Sequence, residues 1–398
     1  GGLGDYARAN GNTWDVVNAA HAGRDARWGD DPAHHALDDG ETHELVVVGG
    51  GAAGLAAAWY HARATGRTAR CLVLENHATF GGEARRNEFV VDGVRLLAPQ
   101  GSNSYFLPQR PGDGYLHEEF EALGIPREFE YARLTGTDRA LEFDPGNYMW
   151  LWSADESDSI GLYLDDPVYG RSRRWLRNPW NAGLKGLGID EPLRRELVRW
   201  RFDLRERRDH DEALDRALDR LTYRDYLRQV HRLPAAVADW TEPFVASGVG
   251  LGASAVSAYA ATRLLGLPGL GLPGWPQPDR SLANFPADHR LACFPGGNSA
   301  LARAFLKDLV PEAIAGSRDF ADVVVQPIRS DALDRPGAPV RVRHGATVVD
   351  VRALGPEASG SAPRVRVCYV RDGRLHATHA RAVVMASGAW VNRRVVRD

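Results

Sequence analysis

Cysteine, lysine and long apolar runs are what this chain has least of. Its three cysteines, Cys71, Cys293 and Cys368, are scattered through 398 residues with no CxxC spacing. An odd, sparse set builds neither a disulfide framework nor a zinc site, and it fits a reducing, cytoplasmic compartment. The first residue is Gly1 rather than methionine, which leaves a removed targeting segment open. No apolar run reaches the ~18 residues that a membrane span needs. Lys185 and Lys307 are the only lysines, so few amines are on hand for catalysis. The net charge of −3 gives no reason to expect a nucleic acid or an anionic membrane as partner. No nucleophile–base pair or metal-ligand spacing stands out, and no metal is expected. His21, His34 and His35 read as solvent-facing side chains rather than ligands.

What is present is a core-forming composition, 44% hydrophobic, in a chain long enough for two or three domains. The most informative stretch runs from Glu44 to Trp59. Leu45 to Val48 reads as a buried parallel strand, followed by Gly49-x-Gly51-x-x-Gly54 and an Ala-rich helix. A second strand, Cys71 to Leu74, leads to Glu75, 21 residues beyond Gly54. This is the dinucleotide-binding βαβ unit in its expected context. Gly49 permits the tight turn, Gly51 the approach of a pyrophosphate, and Gly54 the packing of helix on strand. The helix N-terminus around Ala53 offers unpaired N–H groups to phosphate. Glu75 is placed to accept from an adenosine ribose.

Along the chain, residues 1–40 read as an irregular polar arm punctuated by Gly29, Asp30, Asp31 and Pro32. Residues 41–110 hold the βαβ unit and its extension, residues 111–285 form an insert, and residues 286–398 return to α/β character. The insert clusters Trp150, Trp152, Trp175 and Trp180, and carries a charged amphipathic helical stretch over 191–230. Ala246 to Leu265 is small-residue-rich and apolar, suited to close helix packing, and a breaker-rich loop from Pro268 to Pro278 ends the insert. Beyond it come a helix after Gly296-Gly297, a strand over Thr347–Val351, and a hairpin turning at Asp372-Gly373. A further buried strand is expected over Ala382–Met385, ending at Gly388.

The residues after Glu75 separate NAD from FAD. Glu75-Asn76-His77 leads to the pair Gly81-Gly82 and then to Arg85 and Arg86. This resembles the extended FAD motif of the amine-oxidase-like flavoproteins, in which the second glycine pair and a nearby arginine wrap the pyrophosphate. A diphosphate held against backbone needs glycine for approach and guanidinium for charge compensation. Phe294 to Arg303 resembles the helix start that reopens the FAD domain after the substrate domain. Ala346 to Val351 resembles the strand whose Val348 meets adenine through its backbone. Ala382 to Gly388 resembles the late turn near the adenosine, which implicates Ala386, Ser387 and Gly388. Phe80-Gly-Gly-Glu-Ala-Arg-Arg-Asn-Glu-Phe89, Pro99-Gln-Gly-Ser102 and Phe294-Pro-Gly-Gly-Asn298 together resemble the bacterial flavin-dependent spermidine dehydrogenases from about residue 41 onward. Glu83 departs from that pattern, where a basic or neutral residue is expected. The chain also stops before the last FAD-binding segment of the superfamily, so a missing segment or a second chain is expected to complete the site.

The resemblance implies an α/β fold. It comprises a Rossmann-like FAD domain of the glutathione-reductase and amine-oxidase type, with an inserted mixed α+β substrate domain. It implies FAD as cofactor and hydride removal from a carbon beside an amine nitrogen, giving an imine that hydrolyses. The substrate class is a polyamine such as spermidine, or a natural-product amine. Gln100, Gly101 and Ser102 fall where relatives pass the flavin ring, so Gln100, Ser102 and Tyr105 are the catalytic candidates. Asp155, Glu156, Asp158, Asp165 and Asp166 are an acidic cluster suited to distal ammonium groups, or equally to a solvated loop. Neither lysine is expected at the flavin, since Lys307 closes a helix and reads as exposed. A haem, known in that group, has no residue assigned to it. Two alternatives stand beside this reading: a flavin-dependent desaturase or isomerase acting on a carbon skeleton, and one half of a split flavoprotein inactive alone.

Overall fold

The computed structural model describes residues 13–103, 105–106, 115–127, 136, 161–164, 174–177, 179–180, 182–204, 212–265, 267–269, 291–355 and 364–397. The chain divides into two compact units, Gly1–Phe129 with Leu291–Asp398, and Glu130–Arg290. The first unit opens on α1 (Trp14–Arg24), where the Thr13 hydroxyl accepts from the Val16 N–H. The expected irregular arm therefore contains a helix. Its start signals, an N-cap threonine and Asp15 in the first turn, are outweighed in the sequence by the breakers from Gly29 to Pro32. β1 (Leu37–Val48) begins eight residues earlier than the run Leu45–Val48 suggests, with a register shift between Asp38 and Thr42. α2 (Ala52–Ala64) and β2 (Cys71–Leu74) complete the βαβ unit. A hairpin of β3 (Arg86–Val91) and β4 (Val94–Pro99) follows, then β5 (Tyr105–Phe106) and α3 (Tyr115–Ala122).

The second unit holds a hairpin of β6 (Gly161–Leu164) and β7 (Arg174–Arg177), then α4 (Glu191–Val198), α5 (Glu212–Asp219), α6 (Tyr223–Gln229) and α7 (Ala235–Val249). The single helical stretch expected over 191–230 is thus broken. A wide turn over Arg199–Asp203 follows α4, and Thr222 caps α6 afresh. Its core is built on buried Trp180, Trp200, Tyr223 and Leu227. The Trp200 indole donates to the Tyr223 hydroxyl at 2.9 Å, which donates to the Pro268 carbonyl at 2.6 Å. The Arg201 guanidinium lies 4.5 Å over the Trp180 ring. Trp175 is exposed. Trp150, Trp152 and the five acids of the expected cluster lie outside the described residues.

Back in the first unit, β8 (Leu291–Ala292) pairs with β5, and α8 (Ser299–Leu309), α9 (Phe320–Val325) and β9 (Val340–Arg343) follow. The chain then runs through β10 (Thr347–Leu354), β11 (Arg364–Arg371), β12 (Arg374–Met385), α10 (Ala389–Val395) and β13 (Val396–Arg397). Seven strands form one sheet in the order β13-β10-β11-β12-β1-β2-β9, with β12, β1, β2 and β9 all parallel. Leu45, Val47, Cys71 and Val73 face α2 and α8, while Val46, Val48, Leu72 and Leu74 face Val348, Val351, Val367 and Tyr369 of the β10–β11–β12 meander. Both faces of Leu45–Val48 in β1 and of β2 are buried, as their unbroken apolar runs require. Ala382–Met385 is not a separate buried strand. It is the end of β12, partly exposed because pairing with β11 stops at Ala380 and only β1 flanks it.

Edge strand β9 is buried by charge rather than by another strand. Arg341 and Arg343 donate to Asp334 at 2.7 and 2.8 Å, and Arg341 also reaches Glu41 at 2.7 Å. Lys307 is likewise buried, contrary to its reading as an exposed helix end. Its ammonium donates to the carbonyls of Pro311, Ile314 and Gly316 at 3.1, 2.6 and 3.0 Å. The apolar side of α8 turns it inward, and the chain beyond α8 folds back over it.

Candidate functional site

β1, β2 and β12 end at the same level, with Val48 in register with both Leu74 and Met385. Beyond these carboxyl ends lies the crevice in which open α/β sheets bind ligands. The chain leaves β1 through Gly49, whose φ of +112° is closed to most side chains. A Cβ there would also stand 2.8 Å from the Ala386 carbonyl oxygen. Gly54 has a different reason for being glycine. A Cβ on it would lie 1.9 Å from the Gly49 carbonyl oxygen, so only a hydrogen lets α2 seat on the turn. Gly51 caps α2 with no side-chain hydrogen bond, and Ala52 and Ala53 are exposed at its first turn. The first N–H groups of the helix therefore face the crevice with the positive end of its dipole.

The second glycine pair closes the other side. Gly81 bridges to Gly51 in parallel, its N–H donating to the Gly50 carbonyl at 2.8 Å. A Cβ on Gly51 would come within 3.5 Å of the Gly82 Cα. Two backbone segments thus cross with no side chain between them, which is the cradle a diphosphate needs. The motif residues Gly49, Gly51, Ala53, Gly54, Gly81 and Gly82 are brought together, and Ala386 joins them through its N–H to the Val48 carbonyl at 2.8 Å.

Glu75 sits at the end of β2, only 3% exposed. Its Oε2 accepts from the Gly50 N–H at 2.8 Å; its Oε1 accepts from the His77 N–H and lies 2.9 Å from His77 Nδ1. Burial pulls its pKa up, but these hydrogen bonds outweigh burial and hold it below the usual carboxylate value. A carboxylate has about four acceptor positions, so three donors leave room for a ribose hydroxyl. Val348 follows two residues after Ala346, whose N–H donates to the Glu75 carbonyl at 2.9 Å. Asn76 is half-buried beside them. His344 stacks on Phe80, and burial pushes its pKa down to about 4, so it is neutral. The residues present therefore fit a dinucleotide: glycine cradle and helix terminus for phosphate, Glu75 for ribose, and the start of β10 for the base.

The remaining residues fall into separate groups. Arg85 donates to the Gly82 carbonyl at 2.8 Å and stays at the cradle. Arg86 is turned away, its guanidinium on Glu88 at 2.7 Å and on the Val324 carbonyl at the end of α9. Gln100 and Gly101 are exposed, and Ser102 is tied to the turn before α8. The Asn298 N–H donates to its carbonyl at 3.0 Å, and the Asn298 amide to its hydroxyl at 2.8 Å. Tyr105 stacks on Phe294 at 4.1 Å, against the core. Ser387 bonds Asn392 and Gly388 caps α10. His21 lies in α1, with His34 and His35 in the short turn after it; no group of three metal-ligating side chains forms among the described residues.

Sequence reasoning passed over two residues here. A Cβ on Gly50 would stand 2.9 Å from the Glu75 Oε2, so a larger residue there would displace the carboxylate. His77 holds the Glu75 carboxylate, and its sequence signal is its place two residues after Glu75.

Comparison with known proteins agrees with the local geometry. Residues 47–110 match the family model described as an NAD(P)-binding Rossmann-like domain. No curated protein matches the chain. Among solved structures, a putrescine oxidase bound to putrescine is 15% identical with a TM-score of 0.40, covering 89% of this chain and 60% of that one. A double mutant of putrescine oxidase gives 15% and 0.37 over the same shares. A CLA-producing fatty acid isomerase from P. acnes gives 12% and 0.39, covering 89% of this chain and 61% of that one. This chain thus spans about 60% of the length of these structures, and at TM-scores this low they carry no argument about its activity.

Proposed function

We propose that the chain is an FAD-dependent oxidoreductase acting on an amine, a polyamine or a natural-product amine. The observation that carries the cofactor is the crossing of Gly51 and Gly82 over the N-terminus of α2, with Glu75 at the ribose position. A second glycine pair has no role in a plain NAD turn, and it supports FAD. When bound, the flavin would take hydride from the carbon next to the nitrogen of a neutral amine, leaving an iminium ion that loses its N–H proton to give an imine that water hydrolyses.

The chain's own residues bind and orient. The α2 N–H groups and the backbone at Gly82 hold the diphosphate, with Arg85 beside it for charge. Glu75 holds the ribose, and the backbone of Val348 the base. The loop Gln100 to Ser102, fixed by Asn298, is the segment proposed to face the reacting end, where a positioned polar group orients substrate. The residues 111–285 are proposed as the substrate domain. Amine as substrate rests on the phrase Phe80 to Phe89, not on geometry.

The test is an anaerobic titration of the FAD-loaded protein with spermidine, putrescine and simple amines. Bleaching of the flavin bands is the expected result. Bands that persist with every amine, while dithionite bleaches them, would remove amines as substrate and move the search to carbon skeletons.

A further inference from the structure

Three buried polar atoms near Glu75 have no hydrogen-bond partner among the described residues: Nε2 of His77, the Thr79 hydroxyl and Nε2 of His344. Thr79 is only 1% exposed. Buried polar groups are nearly always paired, so three along residues 77–79 and in the bend after β9 mark a polar cluster beside Glu75 that the described residues leave unsatisfied. The segment that carries them is held firmly. The Glu75 N–H donates to the Arg343 carbonyl at 2.9 Å, and the Gly345 N–H donates to the His77 carbonyl at 3.1 Å.

Resting on the dinucleotide reading above, we infer that His77 is a positioning residue for the adenosine ribose, acting through Glu75. An ionised carboxylate only accepts, so the His77 Nδ1 must carry the proton it gives to Glu75 Oε1. With its own N–H on the same oxygen at 2.9 Å, His77 saturates that side of the carboxylate. Oε2, which among the described residues accepts from the Gly50 N–H alone, keeps an acceptor position for the ribose 2′-hydroxyl. Without the imidazole, Glu75 keeps its two backbone donors and loses the third, so the ribose meets a less firmly fixed acceptor.

The experiment compares FAD with its analogue built on 2′-deoxyadenosine, titrated into flavin-stripped protein by quenching of flavin fluorescence. His77→Ala is expected to weaken FAD by about tenfold, the loss of one hydrogen bond to a charged group. The same change is expected to weaken the deoxy analogue by less than about twofold, because that ligand lacks the hydroxyl being positioned. His77→Asn, whose amide can donate to Glu75, is expected to recover most of the loss. Equal weakening of both ligands by His77→Ala would make its role structural and overturn the inference, as would no weakening of either. Wild-type protein that binds neither ligand would overturn the dinucleotide reading itself, and the inference with it.

Discussion

Replacing Gly54 by alanine puts the packing of the βαβ unit to a direct test. The added Cβ would stand 1.9 Å from the Gly49 carbonyl oxygen. Ordinary carbon–oxygen contacts begin near about 3.3 Å. The difference, about 1.4 Å, must be absorbed by moving the first turn of α2 off β1. Neither partner is a flexible side chain, so the backbone has to give. Overpacking of this kind costs about 1–3 kcal/mol. The same displacement carries the N–H groups of Ala52 and Ala53 away from the diphosphate. A hydrogen bond to a charged group contributes about 1.5–3 kcal/mol, so losing one weakens FAD binding by about 10- to 150-fold. Fluorescence titration gives the affinity, and a thermal melt of the flavin-free protein gives the packing term. A variant that binds FAD within about twofold of wild type and melts at the same temperature would refute the close-packing argument.

Other consequences follow from the same structure. Asp334→Ala removes one carboxylate from Arg341 and Arg343 and leaves Glu41 and Asp39 facing them, so denaturant unfolding is expected to show a loss of about 1–3 kcal/mol. Lys307→Met strips the donor from three carbonyls and is expected to cost about 2–4 kcal/mol in the same assay, whereas an exposed lysine would cost almost nothing. His344 titrates near 4 when folded against an ordinary 6.5, so the unfolded chain binds the extra proton between those values. Its contribution is complete above the unfolded value and is lost as pH falls towards 4, by about 3 kcal/mol. His344→Asn should flatten that part of the stability–pH curve. Burial pushes the Cys71 thiol up to about 12 and Cys368 to about 11, while Cys293 is exposed. A thiol reagent on the native protein should therefore modify Cys293 alone; rapid loss of all three would contradict the packing of β2 and β11.

The dinucleotide cradle was legible because its signals are local. A strand, a glycine turn and a helix follow one another within Leu45 to Ala64, and backbone sterics fix what each glycine does. Glu75 and the pair Gly81-Gly82 were legible by spacing for the same reason. Where the outcome depends on distant partners, the sequence said less. Arg85 and Arg86 are neighbours of identical chemistry, yet Arg85 stays in the turn after Gly82 while Arg86 opens β3 and reaches the end of α9. Lys307 reads as a helix-closing charge until residues 311–316 fold over it. His77 has no pattern of its own, since its work is to hold Glu75. The helix α1 was hidden by the turn residues that follow it, and the break after α4 by an amphipathic spacing that continues on both sides.

One FAD is proposed to bind across Gly51, Gly82 and Glu75. This binding is tested most directly by loading the purified protein with FAD, removing the excess, and measuring the flavin released on denaturation. The account predicts one FAD per chain for the wild type and a sharp fall for Gly54→Ala. Protein that neither carries flavin nor takes it up on reconstitution, while NAD binds to it, would contradict the account.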